Sequence, residues 1–171
     1  MAPADLGLFK PGAISSLAAD VIVPDNNACT GGSIATYCSA NANSVFASGA
    51  NFTVLGTPNL LINDLVLTVS ALPPNQIGYW LMSPNEAFVP FFSGSEGNLC
   101  VGSGLVRWNE SQYVQWSGQF GFVQMTPDLN VGPYGTVFAN GDVWNFQFWY
   151  RDMNPGSTSN TSAAVKITFC Q

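Results

Sequence analysis

The residues able to do chemistry in this chain are few, and most are acids or aromatics. Histidine is absent, so no side chain of ordinary pKa titrates between about pH 5 and 8. Ser–His–Asp and Cys–His nucleophile systems are thereby excluded within the chain, as are zinc sites that use histidine. Glu86, Glu96, Glu110, Asp128 and Asp142 are of the residue type that glycosidases pair across a scissile bond. Each sits in a turn-rich context that favours a solvated loop acid. Asp152-x-Asn154-x-Gly156 resembles the opening of a calcium loop, where alternate oxygens face the ion. Pro155 and the lack of a later bidentate Glu weaken that reading. Asp152 and Asn154 stay a weak calcium candidate, with Asn/Asp turn chemistry the better account. The expectation is a protein without catalytic residues, metal or cofactor.

Aromatic residues offer a second chemistry. Trp80, Trp108, Trp116 and Trp149, with Tyr113 and Tyr134, have the flat apolar faces on which a pyranose ring can stack. Trp116, in the polar setting Gln115-Trp116-Ser117-Gly118, is the best exposed candidate, and Tyr113 and Trp80 complete the expected binding set. For any single aromatic, packing in the core or at a subunit interface is the plainer reading. Arg151 and Asp152 close a strand before a Pro-Gly-Ser turn. Arg151 is expected to turn its planar fork onto loop carbonyls or a nearby carboxylate.

The elements that must position these residues read as β-strands. Proline and glycine recur every 8–15 residues or so, the spacing of a sandwich or barrel of short strands. No apolar stripe of helical period extends over three turns. Leu65, Leu67, Val69 and Ala71 alternate with Val66, Thr68 and Ser70. Ile77, Tyr79 and Leu81 alternate next and stop before Pro84. Residues 99–108 and 120–125 read as further strands. The strongest strand covers residues 142–151, with Trp144, Phe146, Phe148 and Tyr150 as an unbroken aromatic face. That face alone can bury several hundred Å2, at about 25 cal/mol per Å2. The last strand, residues 163–169, turns Val165, Ile167 and Phe169 inward and Lys166, Thr168 and Cys170 outward. The predicted fold is an all-β antiparallel sandwich, jelly-roll-like, over residues 29–171, preceded by an N-terminal arm over residues 1–28.

Composition bounds the partners. The 171 residues fit one domain, 47% of them hydrophobic and only 8% charged, with a net charge of −6. The charged share is far below the roughly 25% usual for globular domains, so solubility rests on neutral polar residues. Lys10, Arg107, Arg151 and Lys166 are the only cations. They are too few for nucleic acid or for an anionic membrane surface. No apolar stretch reaches the roughly 18 residues that span a bilayer. Residues 1–28 show no charged start followed by an uninterrupted apolar run, so an export signal is expected to have been removed.

Cys29, Cys38, Cys100 and Cys170 contain no C-x-x-C pair, which argues against redox or zinc-ribbon motifs. Of three possible pairings, the expectation is a local Cys29–Cys38 bond and a long-range Cys100–Cys170 bond. Two persistent disulfides imply an oxidising compartment.

Three stretches carry a family resemblance. They are Asn63-Asp64-Leu65 through Leu72-Pro73-Pro74-Asn75-Gln76-Ile77-Gly78-Tyr79, then Gly97-Asn98-Leu99-Cys100-Val101-Gly102, then residues 144–152 (WNFQFWYRD) followed by Pro155-Gly156-Ser157-Thr158-Ser159-Asn160. With Tyr37-Cys38 and Asn43-Ser44, they resemble a module found in secreted proteins of planctomycetes and related bacteria. The resemblance spans roughly residues 29–170 and implies an extracellular β-domain. It supplies no catalytic residues to carry over. The added arm departs from the pattern of a module appended to a longer polypeptide.

Together these features lead to the expectation of a secreted or cell-surface structural or adhesive protein that associates with itself. Strand exchange by an arm segment such as residues 13–23 would be one route to a homo-oligomer or filament. A carbohydrate-binding module using its exposed aromatics is the competing expectation, with polysaccharide as the partner.

Overall fold

The computed structural model describes residues 29–153 and 156–171. The predicted arm and Asn154 lie outside the described residues. The chain runs through twelve strands: β1 (Ser33–Cys38), β2 (Asn51–Leu55), β3 (Val66–Ser70), β4 (Ile77–Ser83), β5 (Glu86–Val89), β6 (Leu99–Val101), β7 (Val106–Arg107), β8 (Gln115–Trp116), β9 (Val123–Met125), β10 (Val143–Met153), β11 (Ser157–Thr161) and β12 (Ala164–Thr168). A seven-stranded sheet is ordered β1-β12-β10-β4-β7, with β11 also on β10 and β8 on β4. A three-stranded sheet, β2-β3-β9, faces it. All strand pairs are antiparallel. The fold is all-β, as the two-residue alternation requires.

Alternation places one face of each sheet in a shared core. Phe52, Leu67, Val69 and Val123 from the small sheet meet Trp80, Met82, Phe146, Phe148, Tyr150, Val165 and Ile167 from the large one. Trp80 packs 5.3 Å from Phe52 across the gap and edge-on to Phe148 at 4.9 Å. The predicted aromatic face of β10 is therefore the inner face, with Trp144 at its partly buried end. Leu65 also enters this core, whereas Ala71 takes a left-handed backbone (φ 58°) that ends the alternation.

Two predicted strands are shorter than expected. The 99–108 stretch breaks into β6 and β7, with Gly104 in a left-handed turn between them. Of 120–125, only β9 is extended; Phe120 and Gly121 belong to a turn.

A third layer covers part of the large sheet's outer face. There β5 and β6 pair with each other and lay Leu99 and Val101 on Leu81. The link is Gln147, fully buried on the outer face of β10. Its Nε2 donates to the carbonyls of Asn98 and Ser162, both at 2.9 Å, and its Oε1 accepts from Cys100 N–H at 3.0 Å. The Tyr37 hydroxyl donates to the Cys100 carbonyl at 2.7 Å. Thr161 Oγ1 donates to the Asn98 carbonyl at 2.8 Å, and Asn41 and Asn98 bond through their amides. Gly97 lies so close to Thr161 that a Cβ there would collide with it.

The disulfides are Cys29–Cys170 and Cys38–Cys100, which overturns the predicted pairing. β1 accounts for the difference. Cys38 is its last residue, about 17 Å of extended chain from Ser33, while Cys29 precedes the strand, and a disulfide spans only about 7 Å between Cα atoms. The register Ser33↔Thr168 brings the residues before β1 beside those after β12. Cys170 is also fully buried rather than facing outward. The new pairing closes separations of 141 and 62 residues. In a chain-entropy account, such loops contribute about 5 and 4 kcal/mol. Two disulfides mark an oxidising environment, and among the described residues no helix is long and apolar enough to cross a membrane.

Buried phenols add a pH dependence. Burial raises the pKa of Tyr150, opposed by its hydrogen bond from Asn43 and reinforced by the charge of Asp152. Burial, with the charge of Glu86, likewise raises Tyr37. The folded state thus keeps protons that an unfolded chain releases near pH 10.

Three outcomes follow from this arrangement. Non-reducing peptide mapping should recover Cys29–Cys170 and Cys38–Cys100; a Cys29–Cys38 peptide would contradict the fold. Gln147→Ala removes the partner of the Cys100 N–H, a donor to the Ser162 carbonyl and one of two donors to the Asn98 carbonyl, and should cost about 2–4 kcal/mol in urea unfolding; a loss below about 1 kcal/mol would remove its anchoring role. Thermal stability should be unaffected by the phenols up to about pH 10 and decline above it, with a shallower decline in Tyr150→Phe. Identical slopes between pH 10 and 12 in both proteins would show that Tyr150 ionises as freely folded as unfolded.

Candidate functional site

The most exposed aromatic cluster is a loop. Residues 117–122 connect β8 to β9, and the backbone there is held firmly. Ser117 Oγ donates to the Pro73 carbonyl at 2.6 Å and accepts from Gln76 N–H at 2.9 Å. Asn75 N–H reaches the Gly118 carbonyl at 2.8 Å, and Leu72 N–H reaches that of Gly121 at 3.0 Å. Gly121 (φ 63°) lies against Leu72, where a Cβ would collide with its carbonyl oxygen. The Leu72-Pro73-Pro74-Asn75-Gln76 turn thus serves as a cradle for this loop.

From that fixed backbone project Trp116, Phe120 and Phe122, with 66%, 86% and 44% of their surfaces exposed. Large apolar side chains are seldom displayed in groups on a monomer without a partner surface. Trp116 is opposite Ile77 in register, two residues from Tyr79, so its ring is on the outer face of the large sheet.

The other predicted aromatics are placed differently. Trp80 is fully buried between the sheets, with Nε1–H donated to Gln115 Oε1 at 3.3 Å. It cannot belong to a surface platform, because its position on β4 is on the inner face. Trp108 is also buried, and its Nε1–H has no partner among the described residues. Tyr113 packs on Trp108 at 5.7 Å and is partly buried. Tyr134 is exposed, in a left-handed turn (φ 55°), and donates to Asn109 Oδ1 at 3.1 Å. Of the predicted set Trp116, Tyr113 and Trp80, only Trp116 presents an open ring.

Arg151 also departs from expectation. It is exposed, and its guanidinium stacks over the Trp149 ring, 5.4 Å from the centroid; among the described residues it bonds to no loop carbonyl or carboxylate. Asp152 is buried, and its oxygens accept from Ser44 N–H at 3.2 Å, Met153 N–H at 2.8 Å and Asn160 Nδ2 at 3.3 Å. It ties three segments together, which is turn chemistry and not an open calcium ligand.

Nor do the loop acids converge on a metal: among the described residues no group of three or more Cys, Asp or Glu could hold one. Glu86 pairs with Lys166 at 2.9 Å. Asp142 Oδ2 accepts from Ala139 N–H at 2.9 Å. Asp128, fully exposed, has its pKa lowered first by the Asn130 backbone N–H and then by the Asn63 amide.

Sequence reasoning missed Phe120 and Phe122, because alternation assigned them to a strand. The signal was the pair Gly118 and Gly121, one before Phe120 and one between it and Phe122. No family model, curated protein or solved structure matches the chain.

Proposed function

We propose that this chain is a secreted or cell-surface structural and adhesive domain that associates with copies of itself. The carrying observation is the 117–122 loop, whose backbone is fixed by hydrogen bonds while Trp116, Phe120 and Phe122 stand exposed. Rigid aromatics lose little conformational entropy on association, and such residues dominate the energy of protein interfaces. The low charge supports the same reading, since interface centres are depleted of charged residues. The disulfides fit an extracellular setting. A sheet edge supplies a second means of association: β1 is a terminal strand of the large sheet among the described residues, and a terminal strand presents unpaired backbone groups to an incoming segment.

Carbohydrate binding is the second reading, favoured by the open indole of Trp116. Sedimentation velocity at micromolar concentration separates the two. The full chain should sediment as an assembly heavier than the 18.2 kDa monomer. The double variant Trp116→Ser, Phe120→Ser should dissociate at least tenfold more readily, equivalent to about 1.4 kcal/mol. Deleting residues 1–24 tests the arm separately, and an unchanged mass would remove strand exchange. A chain that is monomeric throughout, yet binds a glycan array in a manner lost in Trp116→Ala, would replace self-association with the carbohydrate reading.

A further inference from the structure

The sequence contains only two arginines, Arg107 and Arg151. They lie on different strands, 44 positions apart in numbering, yet both line one groove on the outer face of the large sheet. The groove encloses about 380 Å3, within the range of small-ligand clefts, about 300–1,000 Å3.

Strand register explains the convergence. Tyr79 on β4 is directly opposite Trp149 on β10, and their rings lie 4.8 Å apart at 31°. Arg151, two residues along β10, extends over Trp149. Arg107 on β7 is opposite Leu81, two residues from Tyr79 in the other direction. The guanidinium groups therefore flank the aromatic pair diagonally. Burial raises the Tyr79 pKa, while the charges of Arg107 and Arg151 both act to lower it. Both charges are thus felt at the same hydroxyl.

Neither arginine is matched by an acid of the described residues. Among the described residues the one ion pair joins Lys166 to Glu86. In a chain of net charge −6, two cations facing one groove without carboxylate partners leave a local excess of positive charge. The opposite wall is apolar, built by Leu99, Leu105 and Phe92. Phe92 is held between Phe91 (φ 50°) and Ser93 (φ 52°). A left-handed backbone is uncommon for a non-glycine residue and an outlier for a bulky one, and such outliers cluster at ligand sites. Ser93 and Ser159 add hydroxyls at the rim.

We propose that this groove binds a carboxylate-bearing saccharide of the uronate class, with Arg107 and Arg151 holding its acidic groups and the Tyr79–Trp149 pair with the leucine wall packing on its ring. A guanidinium presents two parallel N–H donors that match a carboxylate. The apolar wall and indole suit the C–H face of a sugar, which a phosphate ion or a flexible acidic peptide lacks. This site is separate from the 117–122 loop and does not depend on self-association.

Calorimetric titration of the full chain with tetragalacturonate tests the assignment, at low and at 200 mM salt. Saturable binding that weakens with salt is expected. Arg107→Gln and Arg151→Gln should each weaken it at least tenfold, and the double variant should abolish it. Both arginines are exposed, so the melting temperature of each variant should stay near that of the parent. Arg151→Lys, which keeps charge but loses the fork, should fall between the parent and Arg151→Gln. The methyl-esterified tetramer, neutral and one methyl larger at each acid group, should bind at least tenfold more weakly. The proposal is overturned by no saturable binding, by equal affinity in the folded double variant, or by equal affinity for the methyl ester. Binding of a poly-glutamate peptide or a sulfated glucan as tight as that of tetragalacturonate would also overturn the uronate assignment.

Discussion

The interaction on which the architecture turns is the buried amide of Gln147. In an ordinary two-layer sandwich the outer face of the central strand meets water, and a glutamine there would be solvated. Here that face of β10 is covered, and Gln147 holds the cover by satisfying two carbonyls and one N–H of separate segments. A buried amide left half-bonded would disfavour the fold, so the segments it joins must arrive in register. The hydrophobic effect collapses the two sheets, but this amide specifies where the third layer sits. Because β5 and β6 cover only part of the sheet, the uncovered remainder becomes the groove beside Tyr79 and Trp149. Scaffold and cavity thus arise from one constraint.

Covalent closure works with that constraint. The Cys38–Cys100 bond joins the end of β1 to β6, the strand that Gln147 grips. The Cys29–Cys170 bond closes the other end of the β1–β12 pair. The ion pair between Lys166 on β12 and Glu86 on β5 spans the same two layers; being largely exposed, it contributes little beyond orientation. Together these links brace the sheet edge formed by β1, where few buried apolar side chains do so: its first four residues are exposed.

How much of this was readable depended on whether the physics was local. Alternation over 65–69 and 142–151 reveals the inner face, because period two is a property of the strand itself. Disulfide pairing was not local. The proximity of Cys29 and Cys38 in sequence suggested a bond, yet their separation is a strand's length, and only the β1–β12 register decides the partners. Alternation of Ile77, Tyr79 and Leu81 does not say which face of the strand holds Trp80. In fact β4 is apolar on both faces: Trp80 and Met82 enter the main core, while Leu81 is covered by β6. Gln147 and Asn145 carry no sign of burial in the sequence, since composition alone cannot reveal that a neighbouring layer will bury them. The groove was invisible for a similar reason. Arg107 and Tyr79 come together only through the pairing of β7 with β4, and neither residue's flanking sequence signals it.

The residues in the three resembling stretches divide into two groups once their partners are known. Gly97, Asn98, Cys100, Gln147, Asp152 and Asn160 are turned inward and engaged by hydrogen bonds, close packing or a disulfide. Their chemistry is fully used in holding the outer layer and the β10–β11 hairpin together. Tyr79, Trp149 and Arg151 belong to the same stretches but face outward, and the framework does not require a guanidinium over an indole at a solvent-facing groove. Among the described residues Arg151 stacks on Trp149, whereas Asp152 finds three hydrogen-bond donors within its reach. The contrast between these adjacent residues argues that Asp152 serves the fold. Arg151 is the one available to the proposed ligand.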